Sequence, residues 1–161
     1  MSIKYINGDA TQPHGDGVKL VIHIVNDIGR FGSGFARAVM NKYPIVRESY
    51  IEKFSGNELY QDLIGPLVLG DVQFVKARED IWFANMVAQH GTISRENPTP
   101  IKYDALRECL GKVRHYALSN KVSLHGPRFG TGLANGRWHE IEKIINEELL
   151  DRDVGITIYD L

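Results

Sequence analysis

The chain has 161 residues, 43% of them hydrophobic and 24% charged, with a formal net charge of −1. Such totals describe a globular chain long enough for a real core, and near-neutral charge argues against tight, non-specific binding to a nucleic-acid backbone, which needs a basic face. The lone cysteine, Cys109, excludes an internal disulfide and suits a reducing, cytoplasmic setting; no apolar run is long enough to span a membrane, and Met1 to Asp9 has no signal-peptide pattern.

Ile3 to Ile6 is a short apolar strand candidate, stopped by the turn signal Asn7-Gly8-Asp9. Val18 to Val25 reads as a strand buried on both faces, since Leu20-Val21-Ile22 shows no polar alternation. It ends in Asn26-Asp27, and glycines follow at 29, 32 and 34. Phe35 to Lys42 continues as a helix and stops at Tyr43-Pro44, because the residue before proline disfavours the helical region. Ile45 to Phe54 reads as a second helix, closed by Ser55-Gly56-Asn57. Asp71 to Lys76 and Ile81 to Ala88 are strands; the short link Arg78-Glu79-Asp80 forces them to be antiparallel neighbours. After a loop from Gln89 to Pro100, a helix runs from Tyr103 to Ser119 with Leu106, Leu110, Val113 and Ala117 on one face. Val122 to Leu124 is a buried strand, and His125 to Gly136 a second glycine-rich loop. Trp138 to Leu150 is helical, and Ile156 to Tyr159 is the closing strand.

Six strands and four helices in this order predict an α/β fold: a three-layer α/β/α sandwich around a mixed six-stranded sheet, residues 1–161 forming one domain. In such sheets ligands sit beyond the carboxyl ends of the strands, where both glycine loops leave. Strand, glycine loop and helix start together suit an anion. Glycine lets the backbone approach closely, and the first amides of a helix point outward at its positive end. The spacing G-x-x-G-x-G is neither a P-loop nor the dinucleotide fingerprint.

Three stretches together resemble a macro domain: Gly8-Asp9-Ala10-Thr11, then Val25-Asn26-Asp27 with the loop to Ala38, and Pro127-Arg128-Phe129-Gly130-Thr131-Gly132. The resemblance covers nearly the whole chain. It implies that ADP-ribose or a derivative is the ligand, with an ADP-ribosylated protein as a further partner. Asp9, beside Ala10, would accept a hydrogen bond from the adenine amino group, and Asn26 would contact the distal ribose. Backbone amides of Gly32, Ser33, Gly34 and Phe35, and of Thr131, Gly132 and Leu133, would hold the diphosphate from two sides, with Arg128, Phe129 and Gly130 in the second loop. His23-Ile24-Val25 stands where the commonest pattern has Asn-Ala-Ala. That departure is more similar to the branch with terminal ADP-ribose glycohydrolases and ADP-ribose 1″-phosphate phosphatases. The glycohydrolase members use a lysine near the end of the strand corresponding to 81–88 and an aspartate after the second loop. Here Asn85 to His90 has no lysine, and Ala134 stands at about the aspartate's place.

Three functions are open: a hydrolase removing phosphate, acyl or a protein side chain from the distal ribose, a non-catalytic ADP-ribose-binding module, or a plain nucleotide-binding α/β domain with another ligand. For a hydrolase the candidates are His90 for proton transfer, because histidine titrates near neutrality, with Asn26 and Asp27 positioning the ribose or a water. Asp27 alternatively caps the glycine turn, and His90 alternatively is a surface loop residue. His23 reads as a satisfied core histidine, with a catalytic role as the alternative. Arg128 either assists the phosphates or pairs on the surface. The remaining histidines show no metal-ligand spacing, so neither metal nor cofactor is expected.

Overall fold

The computed structural model describes residues 1–55 and 66–161; the predicted stop at Gly56-Asn57 lies outside them. Six strands form one sheet: β1 Lys4–Asn7, β2 Lys19–Asn26, β3 Val72–Lys76, β4 Ile81–Gln89, β5 Ser123–Gly126 and β6 Thr157–Asp160. Their order is β1-β6-β5-β2-β4-β3. Every neighbouring pair is parallel except β3 and β4. The described helices are α1 Phe35–Lys42, α2 Pro44–Glu52, α3 Tyr103–Asn120 and α4 Trp138–Glu148.

β2 sits between β4 and β5 with helices over both faces, and seven of its eight residues are buried. That is why its sequence shows no alternation. The exception in kind is Lys19, 5% exposed. Its ammonium donates to the carbonyls of Gly15 and Gly17, both at 3.0 Å, and pairs with Asp80 at 3.2 Å. These partners offset the cost of burying a charge. One apolar layer joins the sheet to α3 and α4 through Leu20, Ile22, Met86, Leu106, Leu110 and Ile145. The other joins it to α1 and α2 through Val21, Val39, Val46, Tyr50 and Phe83. The sheet with a helical layer on each side is the predicted sandwich.

Most boundaries shift by a residue or two from the sequence reading, and three of the shifts are instructive. β5 ends at Gly126, two residues beyond Leu124, because His125 is buried as a strand residue. α4 stops at Glu148, and Leu150–Arg152 form a 3₁₀ turn closed by Asp153 in the left-handed region at φ 65°. β4 runs on through Gln89, which also bridges Ile101.

Candidate ligand and active site

The first glycine loop is tied down by side chains. Asn26 ends β2 where the β2–β4 register shifts. Its Oδ1 accepts from the amides of Ile28 at 3.1 Å and Arg30 at 3.2 Å, and lies 2.7 Å from the Tyr50 hydroxyl. Its Nδ2 donates to the Arg30 carbonyl at 2.7 Å. Tyr50, fully buried on α2, also lies 2.7 Å from the Asn26 carbonyl and accepts from the Gly29 amide at 3.2 Å. Burial pushes its phenol well above the usual range, so it stays protonated. Arg47 Nε donates to the Phe31 carbonyl at 3.0 Å. The far half of the loop is left open. Among the described residues no atom lies within 4 Å of where a Cβ would stand on Gly32 or Gly34, and Gly34, at φ 58°, starts α1 without a side-chain cap. The amides of the first turn are thus uncommitted to a cap.

The second loop is fixed by packing. A Cβ on Gly130, at φ 84°, would stand 2.9 Å from Ile101 and Ile141 and 3.0 Å from Ile24. A Cβ on Gly136 would stand 2.5 Å from the Gly130 carbonyl, which already accepts the Gly136 amide at 2.7 Å. Phe129 is buried, whereas Gly132 has open space and Leu133 is exposed. The Thr131 hydroxyl donates back to the Arg128 carbonyl at 2.8 Å. Arg128 donates to both Asp160 oxygens, at 2.6 and 3.1 Å, and lies over the rings of Tyr5 and Trp138 at 4.8 and 5.3 Å. That pairing holds the Asp160 carboxyl below the usual range. It corresponds to the pairing alternative for Arg128.

Along the carboxyl ends of the strands run three cavities with shared walls. The first, about 400 Å³, has Asp9, Ala10, Arg128 and Asp160 in its lining. The second, about 150 Å³, lies between the loops, lined by His23, Phe129, Gly130, Gly132 and Leu133 among others. Gly34, Phe35 and Arg128 border both. The third, about 310 Å³, adds Asn26, Gly32 and Thr92, and shares Ser33, Gln89 and Leu133 with the second. The structure therefore brings Asp9, Ala10, Asn26, residues 32–35, 128–130, 132 and 133 onto one continuous set of walls. Thr131, Asp27 and His90 line none of the three. Asp9 Oδ1 accepts from the amide and hydroxyl of its neighbour Thr11, at 2.9 and 2.7 Å. It is a turn residue and a wall residue at once.

Beside the third cavity stand Asp27 and His90. His90 Nδ1 lies 2.8 Å from Asp27 Oδ2, and the Gly91 amide donates to Oδ1 at 2.8 Å. A carboxylate only accepts, so Nδ1 carries the proton and Nε2 is left with its lone pair. Asn97 fixes the backbone from behind, donating to the carbonyls of His90 at 2.7 Å and Thr92 at 3.1 Å. The imidazole is 62% exposed. Asp27 orients the histidine, one of its two readings, and does not cap the glycine turn. Among the described residues no cluster of His, Cys, Asp and Glu has metal-binding geometry, and no helix is long and apolar enough to cross a membrane.

Sequence reasoning missed Tyr50, Gln89, Thr92 and Asp160. Gln89 carried a signal, standing at a strand end next to His90. Tyr50 and Asp160 carried none, because their partners lie 24 and 32 residues away.

No family model matches the sequence. Among solved structures, a protein of unknown function from Bacteroides thetaiotaomicron is 42% identical with a TM-score of 0.89, over 100% of this chain and 99% of that one. A macrodomain protein from Streptomyces coelicolor is 36% identical with a TM-score of 0.83, over 99% of both chains. Among curated proteins, mouse chromodomain-helicase-DNA-binding protein 1-like is 32% identical over 98% of this chain, and bovine ADP-ribose glycohydrolase OARD1 is 27% identical over 99% of this chain and 91% of its own. The chain spans only 18% of the mouse protein and 15% of its zebrafish counterpart. The mixed sheet, the loops at its carboxyl edge and an end-to-end match to the Streptomyces structure lead to one placement: this chain belongs to the macrodomain family.

Proposed function

We propose that the protein binds ADP-ribose and hydrolyses a substituent (phosphate, acyl or a protein side chain) from the distal ribose. The observation that carries this is the row of three cavities. Its first chamber offers a carboxylate, Asp9, to a donor such as the adenine amino group. Its middle chamber is walled by two glycine loops and the start of α1, which suits a diphosphate. Its third chamber ends at Asn26 and Gln89, beside an oriented histidine, which suits a ribose and its substituent. The bovine relative is called an ADP-ribose glycohydrolase, which supports the ligand class. The lysine of that mechanism has no counterpart in Asn85 to His90, so the reading here is water attack. As the bond between ribose and substituent breaks, His90 Nε2 takes the attacking water's proton, Asp27 steadies the imidazolium that forms, and the imidazolium returns that proton to the departing group.

One observation favours the second reading, a non-catalytic ADP-ribose-binding module: neither Asp27 nor His90 lines a cavity. Calorimetry with ADP-ribose and AMP, followed by turnover assays on ADP-ribose 1″-phosphate, acetylated ADP-ribose and an ADP-ribosylated protein, tests both. ADP-ribose is expected to bind more tightly than AMP, because two loops hold the diphosphate; equal affinity overturns the loop assignment. Binding with no turnover of any derivative leaves the module.

A further inference from the structure

The middle cavity meets a buried titratable side chain, His23. It stands on β2 with 2% of its surface exposed and borders the space between the two loops. Its Nε2 lies 2.6 Å from Asn85 Oδ1 on β4. Asn85 Nδ2 donates to Gln73 Oε1 on β3 at 3.0 Å, and Gln73 Nε2 donates to the Ser49 carbonyl on α2 at 2.9 Å. A carbonyl oxygen only accepts, so the direction of every bond is set from the far end of this relay. Gln73 gives its amino group to Ser49 and its oxygen to Asn85. Asn85 then gives its oxygen to His23. His23 therefore carries its proton on Nε2 and a lone pair on Nδ1. Among the described residues Nδ1 has no hydrogen-bond partner, whereas no side-chain nitrogen or oxygen sealed from solvent lacks one. Nδ1 is thus the ring nitrogen left to meet a group entering the cavity that His23 lines.

Among the described residues the surroundings hold no countercharge. Against the ring lie Phe31 of the first loop, Phe35 of α1 and Phe83 of β4, all edge-on with centroids at 5.8, 5.6 and 6.2 Å. The titratable groups on the neighbouring elements are bonded elsewhere: Asp27 to His90, Tyr43 to the Thr11 carbonyl, Tyr50 to Asn26 and Arg47 to the Phe31 carbonyl. From β5 and the second loop, His125 is bonded to Ser123 and Tyr159, and Arg128 to Asp160. Arg30 borders the third cavity and not the middle one. Burial without a countercharge holds the empty-state imidazole neutral, down to about 4.

We propose that His23 is the counter-ion of the middle cavity: it takes one proton from solvent onto Nδ1 when an anionic group enters between the loops, and Nδ1–H then donates to an anionic oxygen. A negative charge within a few ångströms in a poorly solvated space stabilises an imidazolium. The relay supplies what that state needs, because Nε2–H already has its acceptor and nothing must rotate. The inference rests on the diphosphate reading for the identity of the anion.

The test is calorimetric titration with ADP-ribose at pH 6.5 in buffers of different ionisation enthalpy. The slope of observed heat against buffer enthalpy counts protons taken up. The protein as it stands is expected to take up close to one proton, and His14→Gln to keep that uptake. His23→Gln, which retains a donor for Asn85, is expected to show almost none. Affinity should weaken towards tenfold per pH unit above the pKa of the occupied state, and His23→Gln should flatten that dependence. The ring-nitrogen resonances of His23 in the unaltered protein give a measure independent of the variant's folding: a bare Nδ1 when empty and a protonated one when ADP-ribose is bound. Binding without proton uptake, or a bare Nδ1 in the complex, overturns the counter-ion role alone. No binding of ADP-ribose overturns both this role and the functional reading.

Discussion

In the first glycine loop the backbone is held by side chains that reach in, Asn26, Tyr50 and Arg47. In the second it is held by the absence of side chains: Gly130 and Gly136 sit where Ile101 and Ile141 leave no room for a Cβ. A glycine-rich sequence does not distinguish the two. What they share is a pair of open positions, Gly32 and Gly132, with nothing within 4 Å. The lesson is that only some loop glycines can serve a ligand directly, and the rest serve the loop.

Valine at the open positions should break binding and spare the fold. Gly32→Val and Gly132→Val are each expected to abolish ADP-ribose binding with an unchanged urea midpoint, because the side chain fills space reserved for the anion. Gly130→Ala should do the reverse in kind. Overpacking against three isoleucines at a left-handed φ should cost about 2–4 kcal/mol in urea unfolding. A benign Gly130→Ala would refute the packing account of the second loop, and retained binding in either valine variant would make that loop purely structural.

The proposed chemistry lies on one side only. Asp27 follows Asn26 directly, and no comparable pair stands on the second loop, where Ala134 is buried. His90→Ala is therefore expected to slow turnover by roughly 10²–10⁴-fold at saturating substrate while ADP-ribose affinity stays nearly intact. Full activity in that variant would remove the histidine from the mechanism.

The sheet was legible because the apolar runs are long and uninterrupted: all six strands and four helices stand near their expected places. What failed at β5 was a polar residue in a buried strand. His125 read as loop because nothing local announces that Ser123 and Tyr159, at 2.8 Å each, satisfy both its nitrogens. The same holds for Asn26. Its amide organises the loop through contacts that depend on a helix 24 residues on. The His23 relay joins β2, β4 and β3 by register, with His23 opposite Asn85 and Asn85 opposite Gln73. Register across a mixed sheet is not written in any one segment.

Each loop is thus fed by a strand carrying a buried neutral histidine, His23 on β2 and His125 on β5, both held down to about 4. Desolvation leads in both, joined at His125 by repulsion from Lys19 and His14. The unfolded chain titrates near 6.5. Above that pH neither state holds the proton and nothing is lost. Between about 6.5 and 4 the unfolded chain binds protons that the native state refuses, so stability falls as pH falls. Each imidazole should remove on the order of 2 kcal/mol by pH 5 relative to pH 7.5. Urea unfolding of His125→Asn should show about half the drop of the unaltered protein; an identical drop would mean that His125 is not buried neutral.

The smallest effect belongs to Tyr50. Its hydroxyl has one proton and donates it to an oxygen of Asn26, while it accepts from the Gly29 amide. The ring itself is packed edge-on against Phe31 at 5.5 Å and tilted against Phe54 at 5.1 Å. Tyr50→Phe keeps that packing and removes only the oxygen. Asn26 Oδ1 retains the Ile28 and Arg30 amides, while the Gly29 amide and the Asn26 carbonyl lose the hydroxyl. A lost hydrogen bond of this kind costs about 1 kcal/mol in stability. Because the loop's far half depends on its near half, ADP-ribose affinity should fall by less than about tenfold, which is the same free energy. Among the described residues the tyrosine hydroxyls of the second loop stand at its ends, Tyr159 on the His125 side chain and Tyr103 on the Arg137 amide, and none bonds the backbone between. If Tyr50→Phe binds ADP-ribose as tightly as the unaltered protein, the first loop is fixed by its backbone as the second is, and the difference between them disappears.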